Sequence, residues 1–153
     1  MSKTAKIATQ VFVLRTDNGD YPCSALVDAA RCFAASLGLD FPHDPVLACE
    51  EHGKPYFAAL PGLHFSLSHS GEYWLAAFAA APLGIDIQRH QSCRKEAVAE
   101  RFFHPEEAAW LRRRGYTDED FFALWTAKES YVKYTGQGID ESFAGFSVIA
   151  NNA

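Results

Sequence analysis

The order of apolar and polar positions divides the chain into strand-like and helix-like stretches. Residues 6–14 (KIATQVFVL) are rich in β-branched and apolar types and predict a strand, with a turn after it at Asp17-Asn18-Gly19-Asp20. Over 23–37 the positions Leu26, Ala29, Ala30, Phe33 and Leu37 recur at helical spacing, and Gly38 supplies a stop. Two prolines mark Asp40 to Pro45 as a loop. Residues 64–68 and 73–79 predict a hairpin turning around Ser70-Gly71.

Beyond Pro82 the same reading gives a strand at LGIDI, then helices over 94–103 and 106–114. Pro105 opens the second of these, with Glu106 and Glu107 in its first turn, where carboxylates suit the helix dipole. A long helix follows, capped by Thr117 or Asp118 and ending near Gly136 or Gly138, and FSVI (146–149) predicts a last short strand. No strict repeat or low-complexity segment interrupts this order.

Composition narrows the class. A chain of 153 residues fits one compact unit, or two small subdomains sharing a core, and twelve Phe furnish that core. The net charge of −5 argues against a nucleic-acid binder that relies on a general basic field. A binder of small anions stays open, because local lysines and a metal reverse the sign of a site. Cys23, Cys32, Cys49 and Cys93 form no CxxC or Cys/His cluster, which disfavours zinc and reads as reduced, buried thiols. The N-terminal apolar run is too short for a signal peptide and no stretch could span a bilayer, so the expected setting is cytoplasmic.

Three segments carry candidate chemistry. In LGIDIQ a period of two puts Leu83, Ile85 and Ile87 on one face and Gly84, Asp86 and Gln88 on the other. Asp86 serves equally as a ligand or as an acid capping a nearby helix, and Gly84 permits close backbone approach to a ligand. On the long helix, Phe121, Leu124, Trp125 and Val132 form an apolar stripe, and Lys128 falls on it. A lysine there is costly without a partner or a mouth to reach through. Glu129 and Lys133 stand one turn apart; as an ordinary surface ion pair they contribute only about 0.3–0.5 kcal/mol. Lys128 tips the balance towards a site. An acid on a strand and an acid on a helix can meet around one divalent metal, and neighbouring lysines suit a phosphorylated ligand.

The third segment, HFSLSHSG (64–71), alternates hydroxyls with Phe65 and Leu67. His69 lies beside a glycine turn, either holding a phosphate with nearby N–H groups or simply hydrogen-bonded at a strand end. A Ser/His/Asp nucleophile built from Ser66, Ser68, Ser70, His69 and Asp86 is disfavoured. There is no GxSxG elbow, and adjacent Ser68 and His69 point to opposite strand faces.

Taken in order, HxSxSHSG, PxGIDI, FFxxxE and WTxKESxxK resemble the Sfp-type 4′-phosphopantetheinyl transferases, with Gly53-Lys54-Pro55 matching upstream. The resemblance covers about residues 50–140. It implies an α+β fold of two similar subdomains, 1–81 and 82–153, with helices packed on small antiparallel sheets and the second subdomain abbreviated. It also implies an enzyme that moves the phosphopantetheine arm from Mg²⁺-bound coenzyme A to a serine of an acyl or peptidyl carrier protein, releasing 3′,5′-ADP. By the same resemblance Asp86 and Glu129 ligate magnesium, with Gln88 at the position of a third ligand. Lys128 and Lys133 bind phosphate oxygens, His69 with Ser68 holds the 3′-phosphate, and residues 52–55 line the adenine pocket. Glu107 either polarises the incoming serine or acts as a helix-N-terminal carboxylate.

The chain departs from the family pattern in three places. Gln88 stands where many relatives carry an acid, which predicts weaker magnesium binding. Cys23 and Ser24 fall where an arginine-bearing helix start often helps hold the 3′-phosphate, and Arg31 lies too far along; the expectation is either a modest coenzyme A affinity or substitution by Lys3 and Lys6. A sheet ended at FSVI leaves an open edge, so the expected state is a monomer with a less stable second half or a strand-paired homodimer. Arg112, Arg113 and Arg114, with aromatics near Phe102, are candidates for docking an acidic carrier, although a helix C-terminus favours such a run by its dipole alone. Two other classes fit the same residues: a binding module that holds coenzyme A or a carrier without transfer, and a metal-dependent pyrophosphate hydrolase.

Overall fold

The computed structural model describes residues 8–16, 23–137 and 141–149. Strand β1 (Thr9–Arg15) is followed by helix α1 (Cys23–Ser36), the short strands β2 (Leu47–Cys49) and β3 (Pro55–Phe57), and the hairpin β4 (His64–Ser70) and β5 (Tyr73–Ala79). Three helices then run in succession: α2 (Lys95–Phe102), α3 (Pro105–Arg113) and α4 (Asp118–Thr135), with a 3₁₀ turn at Glu141–Gly145. The predicted turn at 17–20 lies outside the described residues, as do Lys3 and Lys6.

The first half is a helix on a sheet. An antiparallel sheet of order β1-β5-β4 buries one face against the α1 stripe of Leu26, Ala29, Ala30 and Phe33. Phe12, Phe57, Phe65 and Phe78 fill the space between, with Phe65 and Phe78 centroids 5.8 Å apart and Phe12 meeting Phe78 edge-on. The β2–β3 hairpin has no counterpart in the sequence reading. Its strands are three residues each, too short to show a period.

The second half packs around its own core of Ala99, Phe103, Leu111, Phe121, Phe122 and Phe143. The starts of α3 and α4 are capped by side chains, whereas α2 begins at Arg94 without one. Thr117 accepts the Asp120 N–H at the start of α4, and His104 Nδ1 accepts the Glu106 N–H at the start of α3. Gly136 ends α4 in the left-handed region at φ 73°.

Four expectations need correction. LGIDI is extended but joins no strand ladder. Its amides go instead to side chains of β4: Ile85 N–H donates to Ser66 Oγ, Ile87 N–H to Ser68 Oγ and Arg89 N–H to Ser70 Oγ, at 3.1, 3.2 and 2.8 Å. Both chains step by two residues per rung, so alternate serines meet alternate amides. FSVI is also not a strand; it follows the 3₁₀ turn, and Phe146 O and Val148 N–H bond to Lys128 and Glu107. The edge that would carry strand pairing is therefore not formed at those residues, and both sheets among the described residues lie in the first half. The four cysteines are free, as expected, but exposed. Finally, the close approach at Gly84 is to α4: a Cβ there would fall 1.9 Å from Ser130 O.

Candidate functional site

The hydroxyl ladder lays Leu83–Arg89 along β4, while Gly84 lets the same segment press on α4. Asp86 is thereby carried to a point where both elements reach it. Ser68 Oγ donates to Asp86 Oδ1 at 2.7 Å, and Lys133 Nζ donates to the same oxygen at 2.6 Å and to Ser68 Oγ at 2.9 Å. The Asp86 side chain is only 7% exposed, so these donors stand in for the water that burial removes.

Glu129 faces this cluster from one turn earlier on α4. It is buried, and its Oε1 has no hydrogen-bond partner. Burial pushes its carboxyl above the ordinary glutamate range, and the Asp86 charge pushes the same way, with Lys133 opposing. The i,i+4 ion pair with Lys133 does not form; Lys133 turns to Asp86 instead.

Two clefts meet at these residues. One, of about 300 Å³, is lined by His52, Gly53, Lys54 and Pro55 together with Glu129 and Lys133. The other, of about 410 Å³, has Ser68, His69 and Trp74 from the sheet, Asp86 and Gln88, and again Glu129 and Lys133. Both lie at the small end of the range for ligand sites. Because they share Glu129 and Lys133, a ligand extending from one to the other passes the carboxylates.

The outlying candidates lie around this centre. His69 is exposed and stacks on Trp74 at 4.4 Å. Gly53 takes φ +82° at the β2–β3 turn. Lys54 donates to Leu83 O and Tyr134 O, tying the N-terminal half to the start of the Asp86 segment and to the end of α4. Burial lowers its pKa, against the pull of Glu50. Gln88 lines the second cleft, its Nε2 donating to Arg89 O.

Lys128 and Glu107 are not brought to this centre. Both side chains are fully buried in the second core, 2.8 Å apart. Lys128 also donates to Phe146 O at 2.6 Å and lies 3.9 Å from the Phe146 ring centroid. Glu107 accepts from Val148 N–H and from His104 N–H, the second completing the cap of α3. Burial lowers the Lys128 pKa, opposed by Glu107. The partner that a lysine on an apolar stripe requires is thus a carboxylate of the same core, and neither residue lines either cleft.

The arginine run is largely committed as well. Arg112 pairs with Glu100, and Arg114 pairs with Asp120 while lying over Trp110. Missed at the sequence level were the roles of Ser66 and Ser70 as rungs. The signal was their two-residue spacing, repeated by Ile85, Ile87 and Arg89.

A hard divalent cation fits the centre. The donors are oxygens on two facing elements, one of them buried without a hydrogen bond, and such oxygens suit Mg²⁺. No group of three or more His, Cys, Asp or Glu gathers among the described residues. No helix among the described residues is long and apolar enough to cross a membrane.

Residues 82–153, which include Asp86, Gln88, Glu129 and Lys133, match the family model of the 4′-phosphopantetheinyl transferase superfamily. A 4′-phosphopantetheinyl transferase of Bacillus subtilis is 38% identical over 118 residues, covering 75% of this chain and 51% of the relative. The 4′-phosphopantetheinyl transferase Sfp of Bacillus subtilis strain 168 is 38% identical over 101 residues, 65% of this chain and 45% of its own length. The transferase gsp of Aneurinibacillus migulanus is 38% identical over 104 residues, 66% of this chain and 43% of its own length. The chain spans about half the length of the curated relatives it matches. With the carboxylate-bearing half inside the family model and the Bacillus transferases at this identity, the chain belongs to the Sfp-type 4′-phosphopantetheinyl transferase family.

Proposed function

We propose that this chain carries the centre for Mg²⁺-dependent transfer of 4′-phosphopantetheine from coenzyme A to a serine of an acyl or peptidyl carrier protein. The observation that carries the reading is the meeting of Asp86, Glu129 and Lys133 at the junction of two clefts. Two carboxylates and an ammonium suit a pyrophosphate that arrives with its own cation.

Asp86 and Glu129 would hold the magnesium ion, with Gln88 offering an amide oxygen beside them. The ion supplies neutralisation of pyrophosphate charge. Lys133 brings a further positive charge to the leaving phosphate, and Ser68 keeps both Lys133 and Asp86 oriented. His69, stacked on Trp74, suits the 3′-phosphate, and the Gly53-Lys54-Pro55 turn lines the cleft proposed for the nucleotide end. In the reaction the serine oxygen bonds to the phosphorus nearer the pantetheine and gives up its proton to solvent. The bond from that phosphorus to the bridging oxygen breaks, and 3′,5′-ADP leaves with the electron pair. Lys128 and Glu107 act in this scheme by fixing α4 and the Phe146–Val148 segment, not by touching phosphate.

The test is to incubate the protein with coenzyme A, Mg²⁺ and an apo carrier and to follow the carrier by intact mass. A phosphopantetheine increment on its serine is the expected result. Coenzyme A bound without an increment identifies a binding module. Coenzyme A cleaved without a carrier identifies a hydrolase.

A further inference from the structure

Gly84 is the point of closest approach between the Leu83–Arg89 segment and α4. A Cβ built there would lie 1.9 Å from Ser130 O and 2.4 Å from Tyr134 N. Its φ is outside the left-handed region, whereas Gly38, Gly53, Gly71, Gly115 and Gly136 all have positive φ. Proximity is therefore what demands glycine at 84. The atoms it faces adjoin the site in sequence, since Ser130 follows Glu129 and Tyr134 follows Lys133. The segment has no slack in the other direction, because the Ile85 and Ile87 amides are tied to Ser66 and Ser68.

We propose that Gly84 is a positioning residue: the missing side chain sets the separation of Asp86 and Glu129 so that one divalent cation bridges them. The inference rests on the reading that this pair takes Mg²⁺. A methyl group at 84 must back away from Ser130 O by at least about 1 Å, because close-packed backbone does not yield locally. Metal–oxygen distances tolerate only about 0.2 Å. The pair then cannot keep both bonds. Asp86→Glu, longer by one methylene of about 1.5 Å, restores the lost reach in that altered frame and overshoots in the native one.

The test uses Mn²⁺ as the probe, with free ion counted by electron paramagnetic resonance and folding checked by circular dichroism. Four proteins are compared: wild type, Gly84→Ala, Asp86→Glu and the double variant. Gly84→Ala should weaken Mn²⁺ binding on the order of tenfold, as outer-shell changes do. Asp86→Glu should weaken binding in the native frame and strengthen it in the Gly84→Ala frame. A reversal of sign is not what general destabilisation produces. Unchanged Mn²⁺ affinity in folded Gly84→Ala, or the same effect of Asp86→Glu in both frames, overturns the proposal. If Gly84→Ala does not fold, Ser66→Ala frees the Ile85 amide and should weaken Mn²⁺ several-fold; no change there overturns it equally. Wild type that binds no Mn²⁺ removes the cation reading itself and this inference with it, an outcome separate from any effect of the variants.

Discussion

Lys133 closes on Asp86 at 2.6 Å and leaves Glu129, one turn before it on the same helix, with a buried oxygen that has no donor. A helix surface ordinarily pairs residues four apart. Here the nearer acid is bypassed for one brought in from Leu83–Arg89. The result is a cluster of two acids and one base, with one acid still short of positive charge.

Glu129→Gln should stabilise the cation-free protein at neutral pH while abolishing its response to divalent ions. The sign follows from the raised pKa. Ionising Glu129 costs more in the folded state than in the unfolded one, so stability falls as pH rises above about 4.3 and the full penalty stands above the folded-state value. Urea unfolding across that range should show the fall in wild type and lose that component in the variant.

Divalent binding should be linked to proton release at the same residue. A cation requires ionised Glu129, so affinity should rise with pH through its raised range and then level off. Calorimetric titration with Mg²⁺ in buffers of different ionisation enthalpy measures the proton count. No proton release near the lower end of that range would place the ion away from Glu129.

Lys133→Met should cost about 1–2 kcal/mol of stability without a cation, since it strips Asp86 of its charged donor in a partly screened position. Mg²⁺ should return part of that loss by binding the freed Asp86 together with Glu129. Paired urea melts with and without Mg²⁺ decide this, and a loss that Mg²⁺ does not touch would count against a shared cluster.

Gln88→Glu adds a third carboxylate to the cleft and should lower the Mg²⁺ concentration needed for half-maximal binding several-fold. A titration identical to wild type would mean that residue 88 lies outside the ion's reach.

Lys128→Met should destabilise the fold by about 3–5 kcal/mol, because it strands the Glu107 charge in the core. Lys128→Met with Glu107→Gln should recover most of that loss, and urea denaturation of the two closes the comparison. Were Lys128 mainly a phosphate ligand, the single variant would keep its stability and lose coenzyme A binding instead.

Much of the site was legible in sequence because its residues obey simple periods. Asp86 is one of alternating polar positions in an apolar strand-like run. Lys128 betrayed itself as the one charge on a helical stripe, although pattern alone left its partner open. Glu107 lies 21 positions away in sequence, and only packing joins the two. The Glu129–Lys133 spacing suggested a local pair that tertiary contact overrode. The β2–β3 hairpin was hidden by the brevity of its strands. LGIDI read as a strand because its backbone is extended; which groups receive its amides depends on Ser66, Ser68 and Ser70, each 19 residues before its partner, and no local rule announces that.

The serine rungs have a consequence for how this centre can change over time. Backbone ladders are indifferent to sequence, so a strand held by one cannot be loosened at a single point by exchanging a side chain. The segment bearing Asp86 hangs instead on three hydroxyls, each encoded by its own codon and each removable without disturbing the β4–β5 pairing. Its grip on the sheet is thus a heritable setting with discrete steps; at Ser66 and Ser70 it is open to selection separately from the carboxylates, whereas Ser68 also bonds Asp86.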